Sequence, residues 1–178
     1  AATGNRIHIC HVSTAGSVAL IRDAKARGVP VTAETAPHYF MLTDELLRTR
    51  DADYRMNPPL REASDRDAVL EAVCEGVFDA IITDHAPHSP EEKADFLRAP
   101  NGITGLETSL AASITALVET GKISLSRLIE LMSVQPAKLL GLPGGTLSPG
   151  AAADIVLFDP TERWVVDPMK MHSRSRNT

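Results

Sequence analysis

Asp84, His85 and His88 fall within five positions, directly after the apolar run Ala80–Thr83 in the string DAIITDHAPHSPEEK (79–93). A carboxylate and imidazoles at a strand tip offer the oxygen and nitrogen donors that a hydrolytic metal site uses. Such a metal acidifies water and polarises a carbonyl, and a neighbouring carboxylate can carry the proton to a leaving nitrogen. His11 closes another apolar run, RIHICHV (6–12). On residue type alone, an Asp-His pair after a strand is more often a hydrogen-bonded loop end than a ligand set, and His11 is as readily a satisfied polar residue as a ligand.

The elements that must position these groups alternate between two periods. RIHICHV (6–12), VPVTAET (29–35) and FDAIIT (78–83) read as strands. Between them SVALIRDAKARG spaces Val18, Ile21, Ala24 and Lys25 helically, with Ser13 or Thr14 as N-cap and Gly28 as terminator. DRDAVLEAVCEG (65–76) predicts a second helix, with Val69, Ala72 and Val73 on one face. Residues 106–121 and 124–142 predict two more, the latter broken near Pro136. Strand–helix alternation implies an α/β fold with a parallel sheet. His11, the Glu34–His38 region and Asp84 all lie at the C-terminal strand ends, where both barrels and open sheets place chemistry. No glycine-rich nucleotide loop follows any strand. After Gly141 the texture changes to turns around ADIVLF and ERWVVD, which predicts short antiparallel strands and a boundary near residue 143.

Composition narrows the function classes. The 178 residues are 43% hydrophobic and 23% charged, a globular profile. The net charge of -5 argues against a nucleic-acid partner, and no apolar run reaches the roughly 18–20 residues of a membrane span. Cys10 and Cys74 form no CxxC pair and are expected to be buried and reduced, as in a cytoplasmic protein.

Six strings in order, HVST (11–14), ETAPHY (34–39), MNPPLR (56–61), TDHAPH (83–88), NGITGLE (101–107) and GTLSPGAAADIVLFD (145–159), resemble the amidohydrolases, and within them the bacterial dihydroorotases. The resemblance implies that residues 1–142 are the C-terminal βα units of a TIM-type (β/α)8 barrel, and that 143–178 begin a small β-rich element. It implies reversible hydrolysis of the cyclic amide of dihydroorotate to N-carbamoyl-aspartate in pyrimidine biosynthesis, at a binuclear Zn2+ centre. Carried across residue by residue, His11 is a ligand of the second zinc. Asp84 is a ligand of the first zinc and the general base. Asn57 and His88 contact substrate, and Asn101–Gly102 contact the ring through backbone. His88 suits a substrate carboxylate, because an imidazole can donate to it or charge beside it.

The chain departs from the common pattern at Tyr39, often His, and Asn101, often Phe. The remaining ligands of the family would precede Ala1, so the 178 residues alone are expected neither to hold a binuclear centre nor to close a barrel. Implied partners are the small-molecule substrate and either a second copy of the chain or aspartate transcarbamoylase. Hydantoinase or allantoinase activity is the alternative enzyme reading, with His88 as the discriminating position. A non-catalytic partner of the transcarbamoylase is the alternative outside catalysis. His38, His85 and Arg61 are expected in structural roles, Arg61 through an ion pair. His8 is expected on the opposite side of the sheet from His11, and His172 in solvent. PEEK (90–93) reads as part of a mobile, solvated loop.

Overall fold

The computed structural model describes residues 3–178. Three parallel strands, β1 (Ile7–Ile9), β2 (Val31–Thr35) and β3 (Ala80–Ile81), form one sheet in the order β1-β2-β3. Ile7 pairs with Val31, and Thr35 with Ile81. Each crossover carries a twelve-residue helix, α1 (Ala15–Ala26) or α3 (Ala63–Cys74). The α/β class with a parallel sheet therefore stands as expected.

Local chemistry sets the ends of α1. The Thr14 side chain accepts from the Ser17 amide, and Asp65, in the first turn of α3, accepts from the Ala15 amide at 2.7 Å. Past the last turn, Gly28 adopts φ +70°, a left-handed conformation that glycine enters without a Cβ clash. Val18 and Ile21 then face Ala33 and Ile81 across a core that includes Val69, Val73, Phe78, Leu117, Leu128 and Leu131. At the lower end of the sheet Lys25 reaches Asp79 at 2.5 Å, and the same carboxylate accepts from the Ala33 amide.

The helical regions after β3 differ in detail from the expectation. A short helix, α2 (Pro37–Met41), and a single capped turn, α4 (Pro90–Lys93), punctuate the loops. The predicted helix over 106–121 becomes α5 (Ser109–Ser113) followed by a wide π turn at Ile114–Val118. The one over 124–142 becomes α6 (Leu125–Ile129), a π turn at Glu130–Val134, and α7 (Gln135–Leu140). The second π turn ends at Val134, two residues before Pro136. Proline lacks an N–H and its ring crowds the carbonyl four residues back. A wider turn there removes that conflict, so the helix is re-wound rather than broken.

Neither ADIVLF nor ERWVVD forms a strand among the described residues. No neighbouring segment offers either one a ladder, and Leu157 and Val165 are 97% and 86% exposed. Between Ala137 and Asn177 no residue is buried. Cys10 and Cys74 are also exposed, not buried: Cys10 lines a cavity between the sheet and α7, and Cys74 lies at the end of α3. No helix of the described residues is long and apolar enough to cross a membrane.

Candidate active site at the strand tips

The ladder between β1 and β2 is interrupted at His11, a candidate site residue. It resumes where the Val12 amide donates to the Glu34 carbonyl at 3.0 Å, and Thr35 donates its hydroxyl to the Val12 carbonyl. His11, between the two paired stretches, adopts φ 57°, which throws its side chain out of the pleat. Asp84 does the same beyond β3, with φ 48°, just after the Ile82 amide bonds the Thr35 carbonyl. Left-handed backbone at a non-glycine residue costs on the order of 1–3 kcal/mol and tends to persist where function requires it. Two such residues, at the tips of the strands on either side of β2, bring their side chains together.

There His11 Nε2 stands 3.2 Å from Asp84 Oδ1. His38, from the first turn after β2, places its Nε2 3.7 Å from Asp84 Oδ2. His38 is 6% exposed, and its Nε2 has no hydrogen-bond partner among the described residues. Burial, followed by the field of His11, pushes its pKa down to about 4, so at neutral pH the ring is uncharged with a lone pair to offer. The expectation of a structural hydrogen bond for His38 is therefore not met at Nε2. Beside it Tyr39 donates to the Pro58 carbonyl at 3.1 Å. Burial and then Asp84 raise the Tyr39 pKa, keeping the phenol protonated.

A second cluster gathers His88, Asn101 and Gly102. His88 Nε2 lies 3.0 Å from the Asn101 carbonyl, and its Nδ1 lies 3.7 Å from Glu92. Gly102 has φ +136°, and a Cβ there would stand 2.4 Å from the Cβ of Ala86 and 3.3 Å from His88 Nε2. Only glycine fits that approach. Its amide donates to the Arg55 carbonyl at 2.7 Å, so the N–H is already engaged. That bond also brings the loop bearing Asn57 alongside. Asn57 is exposed, and its side chain makes no hydrogen bond among the described residues.

The other histidines and charges take supporting places. His85 Nδ1 accepts from the Gly105 and Leu106 amides, which holds the loop just past Asp84. Arg61 anchors its loop through the Ser13 hydroxyl at 3.3 Å rather than through an ion pair. His8 bonds Thr32 and Glu34 beside a cavity of about 590 Å³ between the sheet and α7, which His11, His38, Asp84 and His88 do not line. His8, Cys10 and Glu34 have donor atoms within 4.8 Å of one another, but both ring nitrogens of His8 are already satisfied. The side chain of His172 is exposed, as expected. The PEEK turn is exposed but tied down, because Lys93 donates to the Ala52 and Pro100 carbonyls.

Two residues of this region carry more weight than sequence reasoning gave them. His38 belongs to the same ETAPHY string as the expected site, and its signal was a polar side chain inside an otherwise apolar buried turn. Asn177, 2% exposed, bonds the backbone of both site loops. It sits in the SRNT string, which carries no chemical signature by itself.

The amidohydrolase family profile matches residues 1–176. A dihydroorotase from Geobacter metallireducens is 54% identical over 177 residues, 99% of this chain and 42% of the relative. One from Pelobacter propionicus is 55% identical over 177 residues, again covering 99% and 42%. The chain thus spans about two fifths of the length of these curated relatives. Among solved structures, a D-hydantoinase from Thermus sp. superposes on 96% of this chain and 39% of its own, with a TM-score of 0.89 and 30% identity.

Proposed function

Since the chain belongs to the amidohydrolase family, we propose that it forms the C-terminal catalytic-face portion of a dihydroorotase barrel. The substrate pair is dihydroorotate and N-carbamoyl-aspartate, and the metal is zinc. The observation that carries this reading is the convergence of His11, His38 and Asp84 from three successive strand tips, within a chain more than half identical to dihydroorotases.

The donor set fits a divalent cation. It comprises an imidazole and a carboxylate in contact, plus a buried imidazole nitrogen without a hydrogen bond. Amidohydrolases are in general metal-dependent, and here His11 and Asp84 would hold the ion. When bound, the ion supplies Lewis acidity at the ring carbonyl and lowers the pKa of water. The protein's own groups do the rest. Asp84 takes a proton from the attacking water on its carboxylate and returns it to the ring nitrogen as the amide bond breaks. His38, uncharged and buried, leaves the Asp84 carboxylate free of a competing proton donor. His88, held against the Asn101 carbonyl, presents its ring toward the substrate carboxylate, with Asn57 offering amide groups to the ureide. The further ligands of a binuclear centre would come from outside these 178 residues. Residues 1–142 supply the barrel units, and 143–178 begin a β-rich element together with the segment that returns to the site.

The test uses a completed chain, in which the upstream segment of the Geobacter metallireducens relative precedes Ala1. Zinc-loaded completed chain is expected to hydrolyse dihydroorotate and to leave neutral hydantoin rings largely untouched. The reverse preference would establish the hydantoinase alternative, which the structural likeness to D-hydantoinase favours. The 178 residues alone are expected to retain little metal by mass spectrometry. Two ions per chain would refute the reading that ligands are missing.

A further inference from the structure

The last residues of the chain fold back onto the site, and one of them is wired into it. Asn177 is 2% exposed, with its side chain between the two loops that carry the second cluster. Its Nδ2 donates to the Ala86 carbonyl at 3.0 Å and to the Gly102 carbonyl at 3.1 Å. Its Oδ1 accepts from the His88 amide at 3.2 Å. Its own carbonyl accepts from the Thr104 amide at 2.7 Å and from the Thr104 hydroxyl at 3.3 Å. Thr178 adds a hydroxyl bond to the Thr104 carbonyl. A primary amide has two donor hydrogens and an acceptor oxygen, and this one uses all of them on three different backbone groups.

The two loops need such a link. Beyond β3 their backbones are joined by a single isolated parallel bridge, His85 with Ile103, and by the Ala86 amide to the Ile103 carbonyl at 2.9 Å, while the rings of His85 and His88 add side-chain contacts to the Gly105 and Leu106 amides and to the Asn101 carbonyl. That pairing ends before His88 in one loop and after Gly102 in the other. The side-chain amide of Asn177 spans the gap as a surrogate rung. The segment carrying it is fixed in turn: Glu107 accepts from the amides of His172 and Ser173, both at 2.9 Å.

We propose that Asn177 is a positioning residue for substrate binding. It staples the His88 loop to the Gly102 loop and so, together with the direct contact of His88 Nε2 with the Asn101 carbonyl, holds the His88 ring in place against the Asn101–Gly102 backbone. This rests on the reading of His88 and Gly102 as dihydroorotate contacts. Asn177 itself touches neither the reacting atoms nor Asp84, so its effect falls on KM and spares kcat.

Two variants separate the hydrogen bonds from packing. Asn177→Ala removes every side-chain bond. Asn177→Asp keeps the shape and the acceptor for His88 but turns both donors into an oxygen facing two carbonyls. Amide hydrogen exchange on the chain is read first, at residues 86–88 and 102–104, with β2 as internal reference. Both variants are expected to speed exchange in the two loops about tenfold or more while β2 is unchanged. Should Asn177→Ala not fold, the isosteric Asn177→Asp decides alone. Unchanged exchange in the loops overturns the staple.

Steady-state kinetics on the zinc-loaded completed chain follow. KM for dihydroorotate is expected to rise about tenfold, with kcat within about twofold and metal content unchanged. Loosened loops with an unchanged KM, or a fall confined to kcat, overturn the positioning role. If the unsubstituted completed chain does not turn over dihydroorotate at all, the proposed function fails, and hydrogen exchange still decides the staple.

Discussion

His38 gives the sharpest physical test of the site, because a buried imidazole without a partner must leave a trace in stability against pH. In the unfolded chain it titrates near 6.5, and in the folded chain burial and the neighbouring His11 hold it neutral to about 4. The folded pKa is the lower of the two, so between these values the unfolded chain binds the extra proton. Stability is therefore full above about pH 6.5 and falls as pH drops toward 4, below which this group adds no further loss. Over the whole window the loss is about 3 kcal/mol, and between pH 7.5 and pH 5.0 it is about 2 kcal/mol. The assay is urea unfolding at those two pH values for the parent and for His38→Gln, with chelator present so that no cation competes for the ring. Other titrating groups contribute equally to both proteins and cancel in the difference. The parent is expected to lose about 2 kcal/mol more than the variant on acidification. Equal losses would mean that His38 is solvated or hydrogen-bonded at low pH, and the argument for an available lone pair beside Asp84 would collapse.

Three further outcomes follow from the same geometry. Asp84→Ala in the completed chain is expected to abolish turnover of dihydroorotate, and substantial remaining activity would remove Asp84 as the proton carrier. Gly102→Ala must push the loop away, because its Cβ would meet that of Ala86 at 2.4 Å. Dihydroorotate binding is expected to weaken about tenfold or more while circular dichroism is preserved, and wild-type affinity would show that the Gly102 loop is not at the substrate. Leu117→Ala, at a fully buried position within the first π turn, is expected to cost about 2–5 kcal/mol in urea unfolding. A loss below about 1 kcal/mol would mean that this part of the core collapses around the cavity.

What the sequence made legible was whatever repeats with a short period or is signalled by a neighbour. The strands around Ile7, Val31 and Ala80 announce themselves by β-branched runs, and α1 by Thr14, its four spaced residues and Gly28. His11 and Asp84 stand out because polar ligand types end apolar runs. The π turns were not legible, since a wider helical turn leaves the apolar spacing almost unchanged and only Pro136 hinted at it. The strands expected at ADIVLF and ERWVVD were misjudged for a different reason. Pattern predicts which residues could pair, but a ladder also requires a second backbone, and no described segment provides one. Cys10 was expected inside because it belongs to an apolar run, yet it is exposed at an open cavity between the sheet and α7.

The position of His11 shows why strand alternation alone cannot build such a site. Period-2 reasoning assigns His8 and His11 to opposite faces only if the strand runs unbroken through both. In the molecule β1 ends at Ile9, His11 turns to φ 57°, and regular pairing returns at Val12. Asp84 repeats the device at φ 48° beyond β3. Each conformation is unfavourable in isolation, and each is held by hydrogen bonds on either side that do not involve the reactive side chain. For His11 these are the β1–β2 pairing through Ile9 and Ala33 before it and Val12 to Glu34 after it, and for Asp84 they are Ile82 to Thr35 before it and Gly105 to His85 after it. The strain is thus sustained by the sheet and its following turns, and the aim of the imidazole and the carboxylate does not depend on the contact between them. A site built in this way keeps its donors in place before any ion or substrate arrives, which is the preorganisation that the proposed hydrolysis would require.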